Sequence, residues 1–424
     1  MQWSVADDLN SDDLDTDDLD TAVSGHGLRP AYQPIVTLAD HQIVGYESLA
    51  RWPARPNLSP AAVFARAEET GAAGALDNLC ITRAAADAFN GAATPGMLLF
   101  INSEPTTPYL TADAKHALTQ AGSRFKVVFE LTERGLLTNP HALLRKVREL
   151  RKDGFLIALD DVGAHPESLA LLDVIAPDVI KLDLRLVQQQ PDRAQARTLT
   201  ATLAYHERSG APIVAEGIET VEHLEQALAY GASLGQGFYF GRPGELAPIP
   251  AAWALPASRT SPDPPHHRSV FELVTSGLPV RTVRKQTLIA FSRHIERLAA
   301  AADSPPIVLT TLEHSRYFTE ATRRRYQRLA ETSPLIAIFG HGLPVDLGRQ
   351  IRGVDLDPSD PLCIEWSILV LGPDTAIGLI ARKCDQESPP GITVADADRR
   401  FEMTMTFDRA RVTLAARNLL HRIG

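Results

Sequence analysis

Residues Leu156–Asp183, LIALDDVGAHPESLALLDVIAPDVIKLD, hold two short apolar runs that each end in charge. Leu156-Ile157-Ala158-Leu159 runs into Asp160-Asp161, and Val179-Ile180 runs into Lys181-Leu182-Asp183. Between them Leu169, Leu171, Leu172, Val174 and Ile175 recur at a spacing that predicts a helix. Short apolar runs without polar alternation suit strands buried on both faces, as in parallel sheets. A strand–loop–helix–strand unit therefore points to a β/α fold, in which catalytic groups gather at the C-terminal ends of strands.

The same pattern recurs along the chain. Met97–Ile101 closes on Asn102, Phe125–Phe129 on Glu130, Pro212–Ala215 on Glu216, and Ala232–Gly235 on Gln236. Helical patterns over Leu143–Lys152, Ala194–Arg208 and Val221–Tyr230 separate them. Upstream, Ala31–Val36 and Gln42–Trp52 read as two strands, with Glu47 in the second, and Ser59-Pro60 opens a helix. The number of units and their span predict an α/β, TIM-like (β/α)8 barrel over residues 28–247. Residues 1–27 are rich in Asp and poor in large apolar side chains, which predicts a disordered acidic tail; a short helix through Leu9, Leu14 and Leu19 is the alternative. Residues 248–268 are dense in Pro, Ala and Ser and read as a linker. Residues 269–424 read as a smaller α+β domain: a helix over Arg284–Ala302, strands at Ile307–Leu312 and Leu335–Phe339, a basic helix over Thr319–Thr332, a hairpin about Gly372-Pro373-Asp374 and a final helix over Ala397–His421.

A chain of 424 residues carrying a net charge of -10 has no basic stripe for a nucleic-acid polymer. The three cysteines, Cys80, Cys363 and Cys384, are far apart and show no metal spacing. No apolar run is long enough for a membrane span, and the N-terminus lacks a secretory pattern, so a cytoplasmic protein with reduced thiols is expected.

Polar residues at successive strand ends carry the chemistry. Several carboxylates at one barrel mouth repel unless a cation lies among them. Oxygen donors without His or Cys favour Mg²⁺, Mn²⁺ or Ca²⁺ over zinc. Acidic clusters of this kind hold two ions about 4 Å apart and promote in-line displacement at phosphorus. A neighbouring Lys, its pKa lowered by such cations, can take or relay a proton.

The motifs Tyr32-Gln33-Pro34-Ile35-Val36, Glu47-Ser48-Leu49-Ala50-Arg51-Trp52, Asn102-x-x-Pro105, Glu130-Leu131-Thr132-Glu133, Asp160-Asp161, Lys181-Leu182-Asp183, Glu216-Gly217-Ile218-Glu219 and Gln236-Gly237-Phe238 stand in an order that resembles the EAL-domain cyclic-di-GMP phosphodiesterases. Ser48 replaces the middle alanine of the namesake triplet. The resemblance implies a barrel whose first strand pairs antiparallel, two Mg²⁺ or Mn²⁺ ions, and hydrolysis of cyclic di-GMP to linear pGpG. It implies that Glu47, Asn102, Glu130 and Asp160 ligate one ion, that Asp161 ligates the second, and that Glu216 lies at the same site. Lys181 matches the general base or water-orienting residue. Gln236 and Glu219 match supports for water and substrate, and Gln33, Leu49, Arg51 and Asp183 match substrate-binding positions. Glu133 matches the anchor of the loop that follows the two aspartates, and a homodimer through the barrel is implied as well.

That loop departs from the family. Where relatives continue Phe-Gly-Thr-Gly-Tyr, this chain has Val162-Gly163-Ala164-His165-Pro166. Lowered or differently regulated turnover is expected from it. The alternative is a weak or inactive module that binds cyclic di-GMP as a receptor or serves as an interaction scaffold. Ser269-Val270-Phe271-Glu272, Cys363-Ile364-Glu365-Trp366 and the element order of residues 269–424 resemble the DICT sensory domains, which implies regulation by a signal the sequence does not identify.

Overall fold

The structure, a computed structural model, describes residues 16–91, 95–104, 107, 109–132, 139–164, 166–248, 253, 255, 268–348, 351–384 and 399–423. The chain divides into two compact units.

The first unit carries the barrel. Eight strands close in sequence order: β1 Arg29–Thr37, β2 Ile43–Arg51, β3 Met97–Asn102, β4 Phe125–Thr132, β5 Leu156–Val162, β6 Val179–Leu182, β7 Ile213–Ala215 and β8 Leu234–Gly235. Strand β1 runs antiparallel to both β2 and β8, and each pair from β2 to β8 is parallel. The barrel interior begins with an apolar layer that includes Phe100, Val128, Ala158, Val179, Val214 and Leu234. Side chains two apart on a strand share a face. The residues two positions on are Asn102, Glu130, Asp160, Lys181, Glu216 and Gln236. They form the next layer, at the C-terminal mouth, so the period of the strand alone stacks a polar layer on an apolar one.

Two expectations for this part of the chain need correction. The supposed disordered tail contains a helix, Thr16–Val23. Its acids are spent on later arginines: Asp18 pairs with Arg55 and Asp20 with Arg66, both at 2.7 Å. Leu19, Ala22 and Val23 pack with Trp52, Val63 and Phe64, so long-range pairing supplies the burial that the local composition lacks. The other leucines of the alternative, Leu9 and Leu14, lie outside the described residues. In the linker, Trp253 and Leu255 pack against the barrel's apolar layer. The segment read as one helix between β5 and β6 is a 3₁₀ turn, Pro166–Leu171, leading into a single helical turn, Leu172–Ile175, which Ala176 ends in the left-handed conformation.

The second unit comprises Leu137–Leu144, Glu167–Ala176 and Thr260–Gly424. It is built on a seven-stranded sheet. The strands are β9 Arg281–Arg284, β10 Ile307–His314, β11 Ile336–His341, β12 Ile351–Asp355, β13 Glu365–Leu371, β14 Ala376–Lys383 and β15 Arg400–Thr406, in the order β12-β11-β10-β13-β14-β15-β9. Strands β10–β12 pair in parallel and the rest antiparallel. The final helix is shorter than its pattern predicts, Arg409–Leu420. Arg400–Thr406 instead forms β15, because Phe401 and Met403 face the core at strand spacing and both neighbouring strands supply hydrogen-bond ladders. Within this unit Arg409 pairs with Asp173 at 2.7 Å. Arg417 donates to the carbonyls of Val174 and Asp173 at 2.7 and 2.9 Å.

The turn after β8 places Gln236, and Gly237 makes that turn possible. A Cβ on Gly237 would lie 2.0 Å from the Ile218 carbonyl oxygen and 2.4 Å from its nitrogen. Ile218 donates to the Gln236 carbonyl at 3.0 Å, so the two segments cannot separate without losing that bond. Gly237→Ala is expected to lower stability by about 2 kcal/mol, measured by urea denaturation.

Candidate active site

At the mouth of the barrel Lys181 is fully buried among four carboxylates. Its Nζ lies 2.6 Å from Glu130 Oε1, 2.6 Å from Glu216 Oε1, 3.1 Å from Asp160 Oδ1 and 3.2 Å from Glu47 Oε2. All five side chains are inaccessible to solvent. Glu47 is fixed from two further sides. Asn102 Nδ2 donates to its Oε1 at 2.8 Å, and Gln236 Nε2 donates to its Oε2 at 2.7 Å. Gln236 Nε2 also reaches Gln33 Oε1 at 3.1 Å, and Gln33 Nε2 donates to the Gly241 carbonyl at 3.3 Å. The antiparallel β1 thus delivers Gln33 to the same mouth that the parallel strands reach from the opposite direction.

Asp161 breaks the strand period. Consecutive residues of a strand point to opposite faces, yet carboxylate oxygens of Asp160, Asp161 and Glu216 all lie within 4.8 Å of one another. The β5–β6 register slips between Leu159 and Val162, and Asp161 adopts φ +57°. The irregularity turns a second carboxylate toward the mouth, at a backbone cost that Asp tolerates better than most residues. Gly163 follows at φ +112°, where a Cβ would meet Leu186 at 2.5 Å.

The electrostatics are those of a site short of positive charge. Burial opposes charge on Lys181, but Asp160, Glu130, Glu216 and Glu47 together hold its pKa well above the usual lysine range. Burial pushes Glu130 well up, and Glu47 adds to it. Burial likewise raises Glu216, partly offset by Lys181. Asp160 resists its burial because Lys181 draws it down to about 2. Asp161 is pushed up to about 6, by burial and then by Asp160. Glu130 Oε2 and Glu216 Oε2 are buried and accept no hydrogen bond from the described residues. One ammonium facing four buried carboxylates, with two of their oxygens unsatisfied, is a donor set suited to hard divalent cations.

The other predicted residues divide. Leu49 and Arg51, with Asn102, line a cavity of about 50 Å³ beside the mouth. Asp183 caps the helix Leu184–Gln188, accepting from Arg185 N at 2.8 Å and pairing with Arg185 Nε at 2.9 Å. Glu219 is exposed, unlike the buried group. Glu133 and His165 lie outside the described residues.

Asp77 was not anticipated. It is buried on the helix Ala73–Asn90 and receives Glu104 N at 3.0 Å, Ser103 Oγ at 3.2 Å and Thr107 Oγ1 at 2.8 Å. Lys146 stands 3.7 Å away. Asp77 therefore ties down the chain that leaves β3 directly after Asn102. Its sequence signal is a carboxylate on the apolar face of an otherwise Ala- and Leu-rich helix.

Removing the central ammonium leaves buried carboxylates with no counter-charge. Lys181→Met is expected to destabilise the protein in chelator by about 3–5 kcal/mol, read by urea denaturation, and added Mn²⁺ is expected to recover part of that loss.

A family profile described as "EAL domain" matches residues 16–243, and one described as "Sensory domain in DIguanylate Cyclases and Two-component system" matches residues 268–383. The cyclic di-GMP phosphodiesterase NbdA of Pseudomonas aeruginosa is 30% identical over 227 residues, 51% of this chain and 29% of that protein. The probable cyclic di-GMP phosphodiesterase PdeG of Escherichia coli is 30% identical over 231 residues, 52% of this chain and 46% of that protein. This chain thus spans less than half the length of either relative. Among solved structures, a calcium and cyclic-di-GMP complex of Klebsiella pneumoniae BlrP1 is 30% identical, with a TM-score of 0.45 over 52% of this chain and 56% of that one. The match of the first profile covers more than half of the sequence, and the chain belongs to the EAL domain family.

Proposed function

We propose that the barrel hydrolyses cyclic di-GMP to linear pGpG with Mg²⁺ or Mn²⁺, and that the C-terminal domain controls the rate. The observation that carries this reading is the buried layer in which Glu47, Glu130, Asp160 and Glu216 surround Lys181. A layer so rich in carboxylate is costly to bury and contributes nothing to packing that apolar residues would not supply better. Relatives named as cyclic di-GMP phosphodiesterases support the choice of substrate.

In the proposed reaction the oxygen of a water molecule bonds to one bridging phosphorus and the bond to the ribose 3′ oxygen breaks. The ring opens, the 5′ side keeps the phosphate, and the 3′ oxygen takes a proton. Glu47, Asn102, Glu130 and Asp160 are assigned to one cation, and Asp161 and Glu216 to a second. Divalent cations bound there supply polarisation of the phosphate and of the attacking water. Lys181 Nζ, held as an ammonium by the four carboxylates, orients that water, and would accept its proton only once cations on those carboxylates had lowered its pKa. Gln236 holds Glu47 in place, and Gln33 buttresses Gln236. Arg51 and Leu49 are assigned to the substrate, Arg51 to a phosphate. Asp183 acts through the helix it caps, and Glu219 is assigned to the support of water and substrate. The family motif assigns Glu133 the role of loop anchor.

Control by the C-terminal domain is supported by the second unit. The segment 167–176 follows the Val162–Pro166 loop directly and leads to the strand of Lys181. Within that unit Arg409 and Arg417, on the last helix, hold Asp173 and Val174. A homodimer through the barrel and a cytoplasmic location remain part of the proposal; among the described residues no helix is long and apolar enough to cross a membrane.

Purified protein incubated with cyclic di-GMP and Mn²⁺ is expected to yield pGpG, followed by liquid chromatography and mass spectrometry. Chelator is expected to stop it. Intact nucleotide with measurable binding would replace the enzyme by a receptor, the reading favoured by the altered loop after Asp161. Glu47→Ala and Lys181→Ala are each expected to cut turnover by about a thousandfold or more, while Lys181→Ala still binds cyclic di-GMP in a calorimetric titration.

A further inference from the structure

The second unit contains a cavity of about 270 Å³ between the helix Lys285–Ala300, the helix Glu320–Leu329 and the sheet face of β10 and β13. An apolar cavity of roughly 150 Å³ accepts benzene, so this one has room for a substituted ring. Its walls are Ile289, Leu312, Ile368 and the rings of Tyr317, Tyr326 and Trp366. Aliphatic and aromatic walls of this kind suit a flat apolar body.

Polar groups are placed among these walls. Ser292, 4% exposed, lines the cavity, and its hydroxyl has no hydrogen-bond partner among the described residues. A buried hydroxyl left unsatisfied in a cavity wall is a place prepared for a ligand's polar atom. Lys285, Arg293, Arg325 and Arg399 line the cavity against two carboxylates, Glu296 and Glu313, so the lining has excess positive charge. Arg325 pairs with Glu296 at 2.7 Å, and Arg399 pairs with Glu313. Two of the cations meet at one ring. Lys285 N donates to the Arg399 carbonyl at 2.9 Å. Lys285 Nζ stands 4.7 Å from the Tyr317 ring centre, and Arg399 Nη1 donates to the Tyr317 hydroxyl at 2.9 Å. This corner joins an aromatic face to the Lys285 ammonium and to an Arg399 guanidinium shared with Glu313, a net positive charge that selects an anionic group attached to a ring.

We infer that the cavity bounded by Lys285, Ser292, Tyr317, Trp366 and Arg399 binds a small aromatic carboxylate, and that this is the ligand class sensed by the domain. The ring lies against Trp366 and Tyr317, and the carboxylate faces Lys285 and Arg399. Binding at this cavity is independent of the barrel's chemistry, so it stands or falls separately from the phosphodiesterase reading.

The test uses the full chain and isothermal titration with benzoate, phenylacetate and indole-3-acetate, each beside its neutral amide. At least one carboxylate is expected to bind with Kd below about 1 mM and at least about tenfold more tightly than its amide. Lys285→Gln is expected to weaken binding about tenfold or more. Ala321→Trp, at an exposed lip of the cavity, is expected to block binding while the thermal unfolding midpoint stays within about 2 °C of the parent. No binding by any of the three carboxylates, equal binding of acid and amide, or binding untouched by Ala321→Trp would each overturn the inference.

Discussion

The contact of Lys181 with four carboxylates is the interaction on which the rest of the barrel mouth depends. It is a buried charge cluster with the signs out of balance, and such clusters are expensive unless every member is held in place. The barrel provides that hold. Glu130, Asp160, Lys181 and Glu216 each stand two residues beyond an apolar residue of the layer below, so closing that layer positions them, whereas Glu47 follows Gly45, which is not part of it. Asn102 and Gln236 then fix Glu47, and Asp77 fixes the chain leaving Asn102.

Two backbone features adapt this layer to chemistry. The irregularity at Asp161 adds one carboxylate that a regular strand would have sent outward, at a site where strain is spent on position. Gly237 lets the chain pass against Ile218, which keeps Gln236 over the cluster. Both are local departures from ideal geometry, and both lie within two residues of a polar side chain of the mouth.

The second unit follows a different logic. Its sheet covers a core of aliphatic and aromatic residues, while charged side chains and an unsatisfied hydroxyl surround one cavity. The last helix of the same unit holds Asp173 and Val174, in the short segment that follows the two aspartates in sequence. A ligand cavity and a grip on that segment within one compact unit give the proposed sensor its parts.

How much was legible in the sequence follows from the range of the forces involved. Strand periodicity is local, so the apolar runs, the polar residue at the end of each and the barrel itself could be read from Leu156–Asp183 and its counterparts. The spacing of Glu130, Asp160, Lys181 and Glu216 after those runs already placed them at one mouth. Tertiary structure decided what local pattern cannot carry. The helix Thr16–Val23 exists because Leu19, Ala22 and Val23 pack on Trp52, Val63 and Phe64, far along the chain, with Arg55 and Arg66 pairing two of its acids. Arg400–Thr406 became a strand because β14 and β9 had open edges beside it. Asp161 joined the site through a register slip, and Lys181 became a fully buried ammonium only because five strand ends converge on one point. The sequence determined which residues sit at strand ends; closure of the sheet alone determined which of them touch, because contact across a barrel depends on shear and twist that no single strand encodes.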